Sequence, residues 1–430
     1  MAKPSPKHIV LTCRKAAARH DRRRMQTKTA LRRTEWKPRG TWKHARANGV
    51  RVKASASAAQ PSKRVFAEIN TKEQFLKAVA MIEASKMLPE TAAPAIMELY
   101  KSYSDAVISS GVEDAETVAT KMIATVVDRV LLQFEEPYSF PSFHQRMLEP
   151  FDYYDFGQQY TGNLINFEQS YVGHLERWAD VAKYVEAGDN VVLVANHQTE
   201  ADPAVFALLL EEIYPKLATD VIYVAGDRVV GDPMCKPFSM GRNLLCVHSK
   251  KRLEDIPELK DAKIRQNRRT VLEMAKMLAR GGNLIWVAPA GGRDRPNADD
   301  VFFPAPWDPS AVELMRKLGT SAKPKLHMFP LAMLSHDIMP PPKSIEKQIG
   351  EQRVCKFHGV AISLAEELDL QTIASHASED KEQAQEQLKD IAYEAMEKEY
   401  WVLDAAVHKG EVSSYLQQPF PSKLPVNTGA

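Results

Sequence analysis

The sequence predicts an α/β protein whose mixed, mostly parallel sheet is flanked by helices and preceded by a small N-terminal helical bundle. Two patterns support this fold class. From about residue 150, short apolar runs rich in β-branched residues alternate with helical segments, as in proteins that cover a parallel sheet with helices. Between about residues 70 and 140, three apolar stripes recur at helical spacing with short loops between them, which is typical of a bundle.

The bundle is predicted over residues 65–145, and its helices have clear start and stop signals. Thr71 and Gln74 form a capping-box signature that opens the first helix. Pro89 interrupts the pattern before the second helix, Gly111 ends that helix, and Pro137 follows the third. The apolar stripes are typical of a hydrophobic core, and nothing in this segment indicates chemistry.

The α/β region is predicted over residues 150–410. Strands are expected at residues 191–195, 221–225, 244–247, 284–288, 327–334 and 354–357. One helix is expected at 268–278, where the pair Gly281 and Gly282 stops it, and a last helix at roughly 383–407. Residues 411–430 form a C-terminal tail that contains Pro and Gly and is expected to fray.

Charge is distributed unevenly along the chain. Residues 1–64 carry 19 Lys and Arg side chains against two acids, a formal charge of +17, whereas the remaining residues carry −15. Residues 1–60, rich in Arg, Ala, Ser and Thr, are predicted to be a disordered organelle transit peptide, because they lack the apolar core of a secretory signal. A basic nucleic-acid-binding arm is the alternative. The acidic remainder of the chain would repel nucleic acid, so no such partner is expected.

The lengths of the apolar stretches and the spacing of the cysteines exclude several classes of protein. No stretch approaches the roughly 18–20 apolar residues that cross a bilayer, so no transmembrane segment is expected. The four cysteines are widely spaced without a CxxC motif, and no histidines pair with them at zinc-ligand spacing. The sequence therefore predicts neither a disulfide framework nor a metal site, and it suits a reducing compartment.

The segment NHQTEADP at residues 196–203 indicates chemistry. It follows a predicted buried strand, and Asp202 with Pro203 indicates a helix start with Asp202 as the N-cap. His197 and Asp202 therefore share one strand-to-helix turn. There, Asp202 could accept the Nδ1 proton of His197 and leave Nε2 free to act as a general base. Taken alone, the same residues also fit an ordinary N-cap and a structural histidine.

Two further strand ends carry basic residues. The segment PAGGRDRP at 289–296 follows a predicted strand, and its glycines permit close approach of a ligand. Arg293 and Arg295 stand at alternate positions and could converge on one phosphate. Residues 250–252 are three consecutive basic residues after another predicted strand. Ligand crevices of open α/β sheets lie beyond the carboxyl ends of strands. A solvated surface turn and a solvated basic run are the alternatives.

These segments belong to a set of longer blocks. The blocks are NHQTEADP at 196–203, YVAGDR at 223–228, KPFS at 236–239, IWVAP at 285–289 with GGRDRP at 291–296, and HDIMPPP at 336–342. They resemble the soluble plastid glycerol-3-phosphate acyltransferases of plants and algae, from about Glu68 to near Val407. The His-x4-Asp motif marks the wider glycerolipid acyltransferase superfamily, whereas GGRDRP and HDIMPPP are more diagnostic of this family.

The resemblance implies an activity and a location. A fatty acyl group would move from a thioester of acyl carrier protein, or from acyl-CoA, to the sn-1 hydroxyl of glycerol 3-phosphate in the chloroplast stroma. The product, 1-acylglycerol 3-phosphate, would begin plastid phosphatidate synthesis. The resemblance also implies that His197 and Asp202 are catalytic. Histidine with an ordinary pKa is largely neutral at mildly alkaline pH and can itself take the proton of an alcohol. The reaction therefore requires no metal or redox cofactor, and none is expected.

The resemblance further implies phosphate contacts for Lys251, Arg293 and Arg295. Relatives often have histidine where this chain has Arg252, for which a phosphate role is chemically reasonable, and serine where it has Ala290. A lysophosphatidate acyltransferase would keep the motif and change the acceptor, but the sequence lacks segments that would anchor it to a membrane. A hydrolase is disfavoured, because no Gly-x-Ser-x-Gly elbow or plausible cysteine nucleophile precedes the histidine.

Overall fold

The computed structural model of the protein describes residues 65–85, 92–249, 253, 257–342 and 352–419. The predicted transit peptide, the basic residues Lys251 and Arg252 and the last part of the predicted tail lie outside the described residues.

Three helices form the predicted N-terminal bundle. They are α1 (Lys72–Ser85), α2 (Ala92–Ser109) and α3 (Ala115–Glu135). The capping box is confirmed in both directions. The backbone N–H of Gln74 donates to Oγ1 of Thr71 at 3.3 Å, and the backbone N–H of Thr71 donates to Oε1 of Gln74 at 3.1 Å. Phe75 of α1 stacks on Tyr100 of α2 with their ring centroids 4.6 Å apart, so the apolar stripes form a core as expected.

The rest of the described chain alternates strands and helices. The strands are β1 (Phe143–His144), β2 (Tyr171–Gly173), β3 (Asn190–Ala195), β4 (Ile222–Ala225), β5 (Asn243–Cys246), β6 (Leu284–Val287), β7 (Leu326–Leu334), β8 (Ala361–Leu364) and β9 (Leu416–Gln417). The helices are α4 (Tyr153–Gly162), α5 (Leu175–Ala187), α6 (Asp202–Leu210), α7 (Pro215–Asp220), α8 (Asp227–Gly231), α9 (Lys236–Met240), α10 (Lys260–Arg280), α11 (Pro309–Thr320), α12 (Leu370–Ser375) and α13 (Lys381–Asp404). A π-helical turn, Ala405–Lys409, continues α13.

These nine strands form one mixed sheet in the order β1-β5-β4-β6-β3-β7-β8-β2-β9. The five strands β5, β4, β6, β3 and β7 are parallel to one another, and β2 is parallel to β8. The pairs β1–β5, β7–β8 and β2–β9 are antiparallel. The predicted fold class, an α/β protein with a mostly parallel sheet and N-terminal helices, is confirmed.

Helices cover both faces of the sheet, which explains why its central strands are apolar on both sides. Val191 and Leu193 of β3 belong to a core that also contains the bundle, whereas Val192 and Val194 belong to a second core with residues of α10, α11 and α13. The bundle packs on α4, where the hydroxyl of Tyr103 donates to the carbonyl of Tyr160 at 2.9 Å.

Several local predictions differ from the structure. Residues 354–357 are not a strand; the strand is β8, Ala361–Leu364, because β7 provides its antiparallel partner there. The tail does not fray immediately after Gly410, since β9 pairs with β2. Helix α10 ends at the predicted glycine pair, with Gly281 at φ 77°. It begins at Lys260, before the predicted residue 268, and the apolar pattern did not show this start because the first turns are mostly polar. Among the described residues, no helix combines the length and apolar character of a membrane span.

Candidate active site

Two strand ends bring the predicted site residues together. Strand β3 lies between β6 and β7 and is parallel to both, so all three carboxyl ends share one edge of the sheet. We call residues 196–201, after β3, the histidine turn, and residues 288–296, after β6, the arginine turn. The backbone N–H of Asp294 donates to the carbonyl of His197 at 2.5 Å. This hydrogen bond joins the two turns directly.

His197 and Asp202 form the predicted hydrogen-bonded pair. Nδ1 of His197 donates to Oδ2 of Asp202 at 2.7 Å. The carboxylate is 1% exposed and also accepts from the backbone N–H groups of Gln198 and Thr199, at 2.8 and 3.2 Å, and from Oγ of Ser335 at 2.5 Å. These donors stabilise the buried charge. Nε2 of His197 forms no hydrogen bond with a described residue, and the His197 side chain is 21% exposed.

The prediction that Asp202 is an N-cap is wrong. Helix α6 begins at Asp202 itself, with Ala201 in the cap position and Pro203 in the first turn. The carboxylate accepts hydrogen bonds from the preceding turn and from Ser335 instead of from N–H groups of its own helix. The predicted helix start with a proline in its first turn is confirmed. The carboxylate stabilises the histidine turn and the imidazole rather than the helix terminus.

Two amide side chains on either side of His197 hold the histidine turn in place, and the sequence did not single them out. Asn196 donates through Nδ2 to the carboxylate of Asp294 at 3.0 Å and to the carbonyl of Met333 at 2.9 Å, and its Oδ1 accepts from the N–H of Met333 at 2.8 Å. Gln198 accepts from the N–H of Ser335 at 2.8 Å and donates to the hydroxyl of Tyr400 at 3.2 Å. These bonds tie the turn to β7 and α13. The position of two amides beside the histidine was the available signal.

Asp294 holds the arginine turn from inside. Its side chain is fully buried, and Oδ1 accepts from the N–H of Ala305 at 2.9 Å while Oδ2 accepts from Asn196. Burial raises the pKa of the Asp294 carboxyl to about 7, although the hydrogen bonds from Ala305 and Asn196 act in the opposite direction. The acid between the two arginines is therefore a structural group, and the arginines on either side of it are half-buried.

Arg293 contacts the histidine turn through an ion pair with Glu200, a residue of that turn. Its Nη1 is 3.4 Å from Oε1 of Glu200, and Nε of Arg353 donates to Oε2 of the same carboxylate at 2.8 Å. Burial alone would raise the pKa of Glu200, but the positive charges of Arg353 and Arg293 outweigh it and lower that pKa to about 2. Arg353 also donates to Asp232 at 3.2 Å. Arg353 was not predicted, because it belongs to no motif, and Glu200 was not singled out within NHQTEADP, because its partner Arg353 is far away in sequence.

Of the other residues that were predicted to bind phosphate, the structure describes Arg295 but not Lys251 or Arg252. Nη1 of Arg295 donates to the carbonyl of Pro342, the last residue of the HDIMPPP block. Lys251 and Arg252 lie outside the described residues. The chain reaches the same edge of the sheet before that gap, where the N–H of Ser249 donates to Asp227 at 3.1 Å. The structure thus brings together His197, Asp202 and Arg293, and it holds Arg295 in the same turn against Pro342.

The arrangement holds an imidazole against a buried carboxylate, and the described cysteines do not offer an accessible thiol beside it. Within the described residues, the thiols of Cys235, Cys246 and Cys355 are buried, and burial raises the pKa of Cys246 and of Cys355 to about 12. Arginines beside an imidazole suit a ligand that carries a phosphate.

The fold and the His-x4-Asp turn are those expected of a glycerolipid acyltransferase, and comparison with known proteins shows that the chain is an acyltransferase. An acyltransferase family model matches residues 180–334, which include β3 to β7, and the model of the glycerol-3-phosphate acyltransferase N-terminal region matches residues 63–138. The chain is 43% identical to the chloroplastic glycerol-3-phosphate acyltransferase of Carthamus tinctorius over 367 residues, which cover 83% of this chain and 79% of that protein.

Two further relatives show the same extent of similarity. The chain is 44% identical to a chloroplastic glycerol-3-phosphate acyltransferase of Cucurbita moschata over 80% of this chain and 74% of the relative. It is 42% identical to the corresponding protein of Arabidopsis thaliana over 80% and 75% of the two chains. The chain belongs to the glycerol-3-phosphate acyltransferase family, as the resemblance of its sequence blocks predicted.

Proposed function

We propose that this protein transfers a fatty acyl group from a thioester of acyl carrier protein or of CoA to the sn-1 hydroxyl of glycerol 3-phosphate, with His197 as the general base. Acyl transfer to glycerol 3-phosphate is the activity of its family. The choice of base rests on one observation. The imidazole is held by a buried carboxylate at 2.7 Å, and the backbone carbonyl of the same histidine accepts from the N–H of Asp294 in the arginine turn.

The proposed chemistry moves one proton twice. Asp202 keeps the Nδ1 proton of His197 in place, so Nε2 takes the proton of the substrate hydroxyl as its oxygen attacks the thioester carbonyl carbon. The imidazolium that forms is stabilised by the carboxylate. When the tetrahedral intermediate collapses, the carbon–sulfur bond breaks and the departing thiolate takes the proton from Nε2. His197 is then neutral again, and the products are an ester and a thiol.

Arg293 and Arg295, together with Lys251 and Arg252, are proposed to bind the phosphate of the acceptor. Glu200 supports this role for Arg293, because its ionised carboxylate holds the guanidinium next to the histidine turn. Binding the phosphate at a fixed distance from Nε2 would present one hydroxyl to the base. Such positioning lowers a barrier by up to several kcal/mol.

A competition between acceptors tests this proposal. Purified protein would be given one acyl-carrier-protein thioester with glycerol 3-phosphate, with lysophosphatidate or with both. We expect acylation of glycerol 3-phosphate alone, at the sn-1 position, as read from the positional analysis of the product. Comparable rates with lysophosphatidate would contradict the acceptor assignment, and acylation at sn-2 would contradict the proposed orientation.

The relatives are chloroplastic, which places this protein in the plastid. We further propose that it works in the stroma after removal of the basic residues 1–60 as a transit peptide, and that it has no nucleic-acid partner. The formal charge of +17 on residues 1–64 supports import. N-terminal sequencing of protein purified from plastids should find a start near residue 60. A retained basic segment would contradict the processing step and favour the nucleic-acid interpretation.

A further inference from the structure

Histidine and aspartate side chains meet at a second place, beside the histidine turn. His336 and Asp337 follow β7 in a 3₁₀ turn, and His408 lies in the π-helical turn after α13. Nε2 of His408 is 2.8 Å and Nε2 of His336 is 3.5 Å from Oδ2 of Asp337. His358, which precedes β8, places Nδ1 3.7 Å from the same oxygen. Three imidazoles thus surround one carboxylate oxygen.

The orientation of the two nearer rings is specific. Nδ1 of His408 donates to Oδ1 of Asp404 at 2.8 Å, and Nδ1 of His336 donates to Oε1 of Gln198 at 3.3 Å. Each ring is therefore anchored through Nδ1 and directs Nε2 toward Asp337. Metal-binding histidines have this arrangement, in which the second ring nitrogen donates to a carboxylate or an amide oxygen and fixes the tautomer.

We propose that His336, Asp337 and His408 bind a zinc ion. Zinc bonds of about 2.0–2.1 Å in a tetrahedron separate neighbouring ligand atoms by roughly 3.3 Å. The ligand atoms of this cluster all lie within 4.8 Å of one another, with the two nitrogen–oxygen pairs at 2.8 and 3.5 Å. The nitrogen–oxygen distances therefore have to change by about half an ångström or less, and the two nitrogens have to approach each other by up to about 1.5 Å. Nδ1 of His358 donates to the carbonyl of Gly359 at 3.1 Å, so His358 is not counted among the ligands. Imidazole and carboxylate suit zinc, whereas magnesium prefers oxygen ligands in an octahedron.

The protonation of His336 favours metal binding, whereas the protonation of His408 opposes it. Nδ1 of His336 carries the proton that it donates to Gln198, so the lone pair of Nε2 is available in the neutral ring. The hydrogen bond with Asp337 raises the pKa of His408 to about 9, so an ion has to displace a proton from that ring. A hydrogen-bonded cluster without metal is therefore the competing description.

A metal here would be structural rather than catalytic. It would connect the end of β7 to the π-helical turn after α13, two segments that are distant in sequence. It would also act on the active site through Gln198, whose side chain accepts from His336 and whose backbone N–H donates to Asp202. Bound metal should thus stabilise the folded protein and the geometry of the histidine turn.

Direct metal binding tests the proposal. The full chain, stripped with a chelator, would be titrated with Zn²⁺ by calorimetry, and the tetrahedral site would be read from the visible absorption of bound Co²⁺. We expect one ion per chain and a rise in Tm on adding Zn²⁺. His408→Ala should weaken binding by more than about 100-fold and abolish the rise in Tm. His376→Ala removes an exposed histidine outside the cluster and should behave as wild type.

A second variant keeps every proposed ligand in place. Asp404→Asn removes the carboxylate that anchors His408 and should weaken zinc binding about 10- to 100-fold, the usual cost of losing an outer partner. It also serves as the test if His408→Ala does not fold. Lack of zinc binding by wild-type protein, equal affinity in these variants, or displacement of Co²⁺ by equimolar Mg²⁺ would overturn the proposal.

Discussion

The histidine turn and the arginine turn lie side by side but are built differently. In the histidine turn, Asn196, Gln198 and Thr199 are fully buried and hydrogen-bonded to β7, α13 or the turn itself, while the imidazole reaches solvent. In the arginine turn, Gly291 and Gly292 are exposed, and the Arg293 side chain lies against Glu200 rather than in a network with β7. Proton transfer requires a base at a defined distance from the hydroxyl, whereas an anion can be bound by side chains that adjust. We therefore expect changes in the histidine turn to alter mainly kcat, and changes in the arginine turn to alter mainly the KM for glycerol 3-phosphate.

The largest effect is expected at the base. His197→Ala should lower kcat by roughly 100-fold or more, the scale of lost general-base catalysis, with a small change in the KM for glycerol 3-phosphate. Steady-state kinetics with an acyl-carrier-protein thioester measure this, and His376→Ala is the matched control. A variant that keeps a tenth of the wild-type turnover would contradict the role of His197 as general base. It would also contradict the expectation that the histidine turn determines kcat.

The buried acid that joins the turns should make stability depend on pH. An aspartate in the unfolded chain has a pKa of about 3.9, and that of Asp294 is about 7 in the folded protein. Folding is therefore favoured by the protonated carboxyl below about pH 4, and this contribution of up to about 4 kcal/mol is lost as the pH rises through 7. Urea unfolding should show a smaller fall in stability from about pH 4 to 8 for Asp294→Asn than for wild type. Parallel profiles would contradict the assignment.

The arginine turn should respond mainly in KM. Arg293→Ala should lose about 1.5–3 kcal/mol of charge-assisted binding, which corresponds to a rise of roughly 10- to 100-fold in the KM for glycerol 3-phosphate. Arg280→Ala, at the exposed end of α10, provides a control for the loss of a positive charge. An unchanged saturation curve would refute the phosphate role, and a fall in kcat alone would refute the division between the turns.

The smallest effect is expected at the glycine pair. Gly291 has φ 66°, where an alanine costs about 1–2 kcal/mol, so Gly291→Ala should lower Tm and raise KM slightly. Gly292 lacks a positive φ and has open space around its Cα, so Gly292→Ala is the matched control. Equal Tm values for the two variants would show that the positive φ of Gly291 does not determine the stability of the arginine turn.

Local patterns predicted much of this site. The β-branched runs of β3 and β6 identified two buried strands, and His197 and Asp202 are close enough in sequence for their hydrogen bond to be expected. Short strands such as β2 and β9 have no detectable period, because two or three residues acquire strand structure only from their partners. The N-cap prediction for Asp202 was wrong because Ser335, a residue of another segment, takes part in its hydrogen bonds.

The sequence alone determined the fold class, the pairing of imidazole with carboxylate and the basic character of the second turn, since each depends on residues a few positions apart. The tertiary structure decided that Arg353 holds Glu200 and that His408 meets Asp337. Such contacts join segments whose separation along the chain is unconstrained. They follow from the order of strands in the sheet and from the packing of α13, which no local spacing encodes.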